Sequence, residues 1–139
     1  MVHIIAGEKG KGKTKNLLAH AHDTVEKTTG VVVYIDKNND KMYEIHKDVR
    51  LIALSEYFVQ DYEAFLGFIC GIIASNHDIQ TMYLDDLAKL AGIDTARLEP
   101  LLDRLTLIST RHHVEIVVGI AGNRECLPEH YYENIIMDL

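Results

Sequence analysis

An α/β fold, built as a three-layer sandwich around a mostly parallel sheet of five or six strands, is predicted by two features of the sequence. Short apolar runs alternate with helix-spaced stretches along the whole chain. The run Val31–Asp36 (VVVYID) is almost continuously β-branched, as in a parallel strand covered on both faces. In such folds, ligands bind beyond the carboxyl ends of the strands.

The elements follow in order. Val2–Ala6 is a short apolar strand, followed by a glycine-rich loop. Leu17, Leu18, Ala21 and Val25 then recur at helical spacing from Lys13 to about Glu26. Gly30 punctuates the chain before the central strand Val31–Asp36. Lys37–Asp40 (KNND) is a turn cluster, a short helix is expected between it and Asp48, and Val49–Leu54 is a strand. Tyr57–Ser75 reads as a helix apolar around most of its circumference, which implies burial between the sheet and a further surface such as another subunit. Within it Gly67 and Gly71 form a GxxxG pair, expected to permit close packing on the sheet. Thr81–Leu84 is a strand ending in Asp85 and Asp86. Thr95 to about His112 is an amphipathic helix, and Glu115–Ala121 is a strand. Pro128 opens a helical turn, and Ile135, Ile136 and Met137 form a last strand.

With 139 residues, the chain is sized for a single domain, 1–139, able to bury a core without disulfides. The net charge of −7 disfavours nucleic acid as the main partner, since backbone recognition needs clustered Lys and Arg. Cys70 and Cys126 form no CxxC pair, in keeping with a reducing cytoplasm. The N-terminus lacks the pattern of a signal peptide, and the longest apolar run, Ala64–Ala74, falls far short of the ~20 residues needed to cross a bilayer. A cytoplasmic protein without a membrane span is expected.

The loop Gly7–Thr14 (GEKGKGKT) fills the pattern G-x-x-x-x-G-K-[ST]. Gly7 and Gly12 let backbone N–H groups turn inward around an anion, a conformation that side chains obstruct, and Gly10 is an extra glycine in the loop. The helix beginning near Lys13 aims its positive dipole end at the same point. Lys13 is placed for β and γ phosphates, and Thr14 for magnesium. Glu8, Lys9, Lys11 and Lys15 are counted with the loop as nucleotide-contacting residues, the lysines also raising the local potential. The competing reading is a basic glycine turn that binds nothing.

On these residues the chain resembles a P-loop NTPase. The deviant loop of the MinD and ParA type has lysine directly after its first glycine, where this sequence has Glu8. The segment TMYLDD, 81–86, resembles a Walker B strand, which implies Asp85 as the magnesium aspartate. It places Asp86 where the RecA-like, additional-strand branch usually has a glutamate that orients the attacking water. A helix N-cap at Asp85 and Asp86 is the plainer alternative. The same resemblance implies that Asn123, after the next strand, senses the γ-phosphate and that Arg124 faces a neighbour's nucleotide, although asparagine is also common in ordinary turns. RecA-like sheets have the order 5-1-4-3-2. The small stand-alone form is also similar to bacterial ATP-binding proteins loosely grouped as PilT-like.

Arg97, Arg104 and Arg111 recur every seven residues and form a stripe, read as a solvated face or as a contact for an acidic partner. His20 and His22 face different ways on a helix, so no zinc site assembles from local spacing. Asp36 ends its strand beside the expected cleft, as an acid for substrate or as a turn cap. The leading expectation is an ATP- and magnesium-binding protein with slow or partner-stimulated hydrolysis, using Lys13 and Asp86 catalytically. ATP is favoured because no NKxD or TKxD guanine-reading motif is present. The alternatives are a small-molecule or nucleotide kinase and a non-hydrolysing nucleotide-dependent interaction module; the leading reading includes stimulation by a protein partner or a second copy. The position of strand Thr81–Leu84 discriminates: beside Val2–Ala6 it favours the kinase branch, one strand removed the RecA-like branch.

Overall fold

The computed structural model describes residues 1–139. Its strands are β1 (Val2–Gly7), β2 (Val31–Asp36), β3 (Val49–Ala53), β4 (Ile79–Leu84), β5 (Glu115–Ala121) and β6 (Ile135–Asp138). They form one six-stranded sheet in the order β3-β2-β4-β5-β1-β6, and every neighbouring pair is parallel. Parallel pairing explains the continuous apolar runs, because crossover helices cover both faces. Val33 and Ile35 of β2 enter one hydrophobic cluster, while Val32 and Tyr34 enter the other.

The helices are α1 (Lys13–Lys27), α2 (Tyr62–Ser75), α3 (Leu87–Ala91) and α4 (Leu98–His112). Leu17 and Ala21 of α1 pack on one face with a cluster of 8 buried residues, whereas α2, α3 and α4 build a cluster of 27 on the opposite face. The sheet is thus flanked by helices on both sides, with unequal cores. No helix is long and apolar enough to cross a membrane.

Several boundaries depart from the sequence expectation. Residues 40–48 form successive turns instead of a helix, with Met42 N donating to Asn39 O and Glu44 N to Lys41 O. The run is too short to nucleate a stable helix, and of its apolar residues only Ile45 packs on a core cluster. The strand Val49–Leu54 stops at Ala53, because Leu54–Glu56 turns into a 3₁₀ segment. Helix α2 begins at Tyr62 rather than Tyr57, capped by the Asp61 side chain, which accepts from Ala64 N at 2.8 Å. The long helix expected from Thr95 opens as a 3₁₀ turn over Thr95–Arg97 before α4. Helix α3 was not anticipated; five residues are too few for a periodic signal.

The GxxxG expectation is also corrected. A β-carbon placed on Gly67 or Gly71 would meet no atom within 4 Å, so neither glycine packs on the sheet. Phe65, Leu66, Ile69 and Ile73 take the core-facing side of α2. The opposite side is exposed at Ala64, Gly67, Cys70, Gly71 and Ala74 rather than buried all round.

Candidate functional site

Helix α1 starts without a side-chain cap. Gly12, at its N-cap, is left-handed at φ 83°, Gly10 is likewise at φ 86°, and no acidic residue occupies the first turn. A side chain at either glycine would strain the loop. Asn16 turns its amide back to Gly12 O at 2.8 Å, fixing the loop against the helix it feeds. The uncapped turn therefore points N–H groups and its positive dipole end into open space, the arrangement that attracts anions.

That space is a cleft of about 490 Å³. From the loop it is lined by Glu8, Lys9, Gly10, Gly12, Lys13, Thr14 and Lys15, and from across the sheet by Asp86, Lys89 and Ala121. Gly7 and Lys11 shape the loop without lining the cleft. Gly7 lies under Leu139, whose Cβ would stand 3.1 Å from an added β-carbon, and Lys11 N donates to Glu8 O at 3.1 Å.

Beside the cleft, the first turn of α1 meets the ends of β2 and β4. Thr14 Oγ1 donates to Asp85 Oδ1 at 3.2 Å, and the Tyr34 hydroxyl donates to Asp85 Oδ2 at 3.0 Å. Asp85 N donates to Ile35 O at 3.1 Å, extending the β2–β4 ladder by one bond. Asp36 and Asp85 are 7% and 4% exposed, and such buried carboxylates require a counter-charge. Lys41 provides it, pairing with Asp36 and lying 3.6 Å from Asp85 Oδ2. Burial raises the Asp85 pKa and the Asp36 charge adds to the rise, while Tyr34, Lys41 and Thr14 hold it back. Burial works against the Lys41 ammonium, yet its bonds to the two carboxylates outweigh that and its pKa is raised. Burial and the adjacent Asp85 also push the Tyr34 phenol upward, so it remains a donor.

Asp86 differs from its neighbour. It adopts φ 54° and ψ 76°, left-handed for a non-glycine residue, caps nothing with its side chain and opens α3. A strained non-glycine residue at a cleft edge points to function. Asp86 also borders a smaller polar cavity of about 220 Å³ that reaches Lys13, Asp36, Lys41 and Asp85.

Asn123 stands elsewhere. It lies outside the lining of the cleft, and its Oδ1 accepts from Glu125 N at 3.0 Å, capping the turn Arg124–Cys126. Arg124 packs over the Tyr132 ring at 4.6 Å and lies 3.9 Å from Asp138. Of the arginine stripe, Arg104 pairs with Glu63 at 3.0 Å and covers the Tyr62 ring, remote from the cleft.

Three contributors escaped sequence reasoning. Lys41 and Lys89 lie on segments without a motif. Gly119, in the middle of β5, faces the loop: a β-carbon there would come 2.8 Å from Leu17 Cδ1, 3.3 Å from Asp86 N and 3.4 Å from Lys13 Cδ. A lone glycine inside a strand run was its only signal.

No group of three or more His, Cys, Asp or Glu side chains is arranged to hold a metal by itself, so a cation here would draw further ligands from a bound anion or water. Chemically, the arrangement sets an anion cradle beside a buried acidic pair. No protein-family model matches the chain, and no curated protein matches it.

Proposed function

We propose that the protein binds a nucleoside triphosphate, with ATP as the preferred nucleotide, together with magnesium through Gly7–Thr14, as a P-loop NTPase of the RecA-like kind. The observation that carries this reading is the convergence of the uncapped loop of α1 with Asp85, joined by the Thr14–Asp85 hydrogen bond. Strand order supports the branch. β4, with its Asp85–Asp86 end, is separated from β1 by β5, and the series β6-β1-β5-β4-β2 reproduces 5-1-4-3-2 with β3 added at the edge. A kinase of the alternative branch would have β4 beside β1.

The donors suit magnesium, a hard cation that takes one or two carboxylates and keeps waters and phosphate oxygens. Thr14 and Asp85 would hold it, and the Lys41 ammonium is a cation already drawn to Asp85. When bound, magnesium neutralises charge on the phosphate oxygens. Lys13 and the loop N–H groups bind and orient the phosphates. Asp86 takes the proton of a water attacking the terminal phosphorus as the bridging P–O bond breaks, releasing phosphate and the nucleoside diphosphate. A second reading, an interaction module that exchanges partners between nucleotide states without hydrolysis, is favoured by the shortness of Asp86 relative to glutamate.

Calorimetry with ATP, GTP and magnesium on the natural chain and Lys13→Ala tests the proposal. ATP binding that disappears in the variant is expected. Equal affinity in both proteins, or none in the natural chain, would sink it. A turnover measurement then separates the hydrolase from the module.

A further inference from the structure

Two buried carboxylates, Asp36 and Asp85, stand at the ends of adjacent parallel strands, and burial with mutual repulsion makes an uncompensated pair costly. The compensating charge comes from neither strand. Lys41 reaches in from the irregular connection between β2 and β3, and its side chain is only 18% exposed. Its ammonium pairs with Asp36 and stands 3.6 Å from the Oδ2 of Asp85, the oxygen that also accepts from Tyr34.

We propose that Lys41 is a resident counter-ion of this acidic pair, one that a divalent cation displaces from Asp85, so that cation loading leaves Lys41 on Asp36 alone and shifts the connection that carries it. The inference rests on the reading of Thr14 and Asp85 as the cation-holding residues. A lysine ammonium and a divalent cation compete for the same carboxylate, and their mutual repulsion disfavours holding both against Asp85. The connection is suited to respond. Its residues 40–48 form turns and no helix or strand, held by Ser55 N to Lys37 O, Asn39 to Glu56, His46 N to His22 Nε2 and the packing of Ile45 on the smaller core cluster, which leaves the Met42–Tyr43 tip outside these ties. Directly after Lys41 come Met42, 51% exposed, and Tyr43, 92% exposed, so movement of Lys41 is transmitted to an apolar tip at the surface.

The experiment uses Mn²⁺ alone as the probe, in the absence of nucleotide. Electron paramagnetic resonance titration of the full chain should show Lys41→Met binding Mn²⁺ at least fivefold more tightly than the natural protein, with Lys41→Arg unchanged. Equal or weaker binding by the methionine variant overturns the proposal. A second measurement does not depend on that variant folding. Tyr43→Trp, at an exposed position of a protein with no other tryptophan, should change its emission when Mn²⁺ is added, and a constant emission at saturating Mn²⁺ overturns the proposal. The two readings fail separately. Absence of ATP binding with Mn²⁺ exchange intact strikes the nucleotide reading alone, whereas ATP binding with Mn²⁺ affinity independent of Lys41 strikes this one alone.

Discussion

The Thr14 hydroxyl donates to Asp85 Oδ1 at 3.2 Å, across a sequence separation of 71 residues. One residue lies in the first turn of the helix after the glycine loop and the other directly follows β4, two strands away from β1 in the sheet. The bond ties two segments that share no local interaction, and it places a hydroxyl and a carboxylate where one cation can contact both.

Replacing Asp85 with asparagine should separate cation dependence from nucleotide binding. ATP affinity without magnesium is expected to remain, because the loop N–H groups and Lys13 are untouched. The gain in affinity on adding magnesium should fall by roughly 10- to 100-fold, the usual cost of removing a supporting ligand at a metal site. Calorimetry with and without a chelator measures both.

Asp86→Asn keeps the shape of the residue and removes its capacity to accept a proton. Nucleotide affinity should hold, while any turnover drops by about 10²–10⁴-fold, the range for a general base. Asp86→Glu extends the carboxylate by one methylene and is expected to raise turnover. Phosphate release, measured beside a binding isotherm for each variant, checks the split.

Gly119→Ala puts a β-carbon 2.8 Å from Leu17 Cδ1, so α1 must shift on the sheet. Destabilisation of about 1–3 kcal/mol is expected from overpacking. Because Lys13 Cδ stands 3.4 Å from the same point, nucleotide affinity should weaken as well. Denaturant unfolding and a binding assay report the two effects, and an alanine variant as stable as the parent would contradict the packing described.

His20 sets a pH dependence of stability. Burial holds its pKa below the ordinary value of 6.5, with nearby His3 acting in the same direction, while its Nδ1 bonds to the Tyr83 hydroxyl at 2.6 Å. As the pH falls below 6.5, the unfolded chain takes up a proton that the folded protein resists. This contribution is therefore complete above that value and is lost as the pH falls through the lowered folded value. Urea unfolding at several pH values should give a shallower acid-side decline for His20→Gln than for the natural protein. Parallel declines would remove His20 as a cause.

The layered α/β fold, the glycine loop and the acidic strand end were legible because each depends on local pattern: periodicity for the elements, glycine spacing for the loop, an apolar run ending in two aspartates for β4. Val31–Asp36 and Glu115–Ala121 match their strands residue for residue, since β-branched runs bounded by turn residues leave little latitude. What was not legible depends on distance through space. Lys41 has no local signal, because its role exists only where β2 and β4 bring Asp36 and Asp85 together. Gly119 is read correctly only when α1 is known to cross it. Gly67 and Gly71 misled for the converse reason: their spacing is local, but which side of α2 faces the sheet is decided by Phe65, Leu66, Ile69 and Ile73.

The two faces of the sheet are unequally filled, and the glycine loop feeds the helix on the poorer side, where 8 buried residues stand against 27 opposite. Local opening should accordingly begin at α1, whose amides exchange with solvent before those of α4. An anion held by the loop would clamp the start of that helix. Occupancy would then register as slowed exchange along α1, and a molecule without the anion would spend part of its time with α1 loosened.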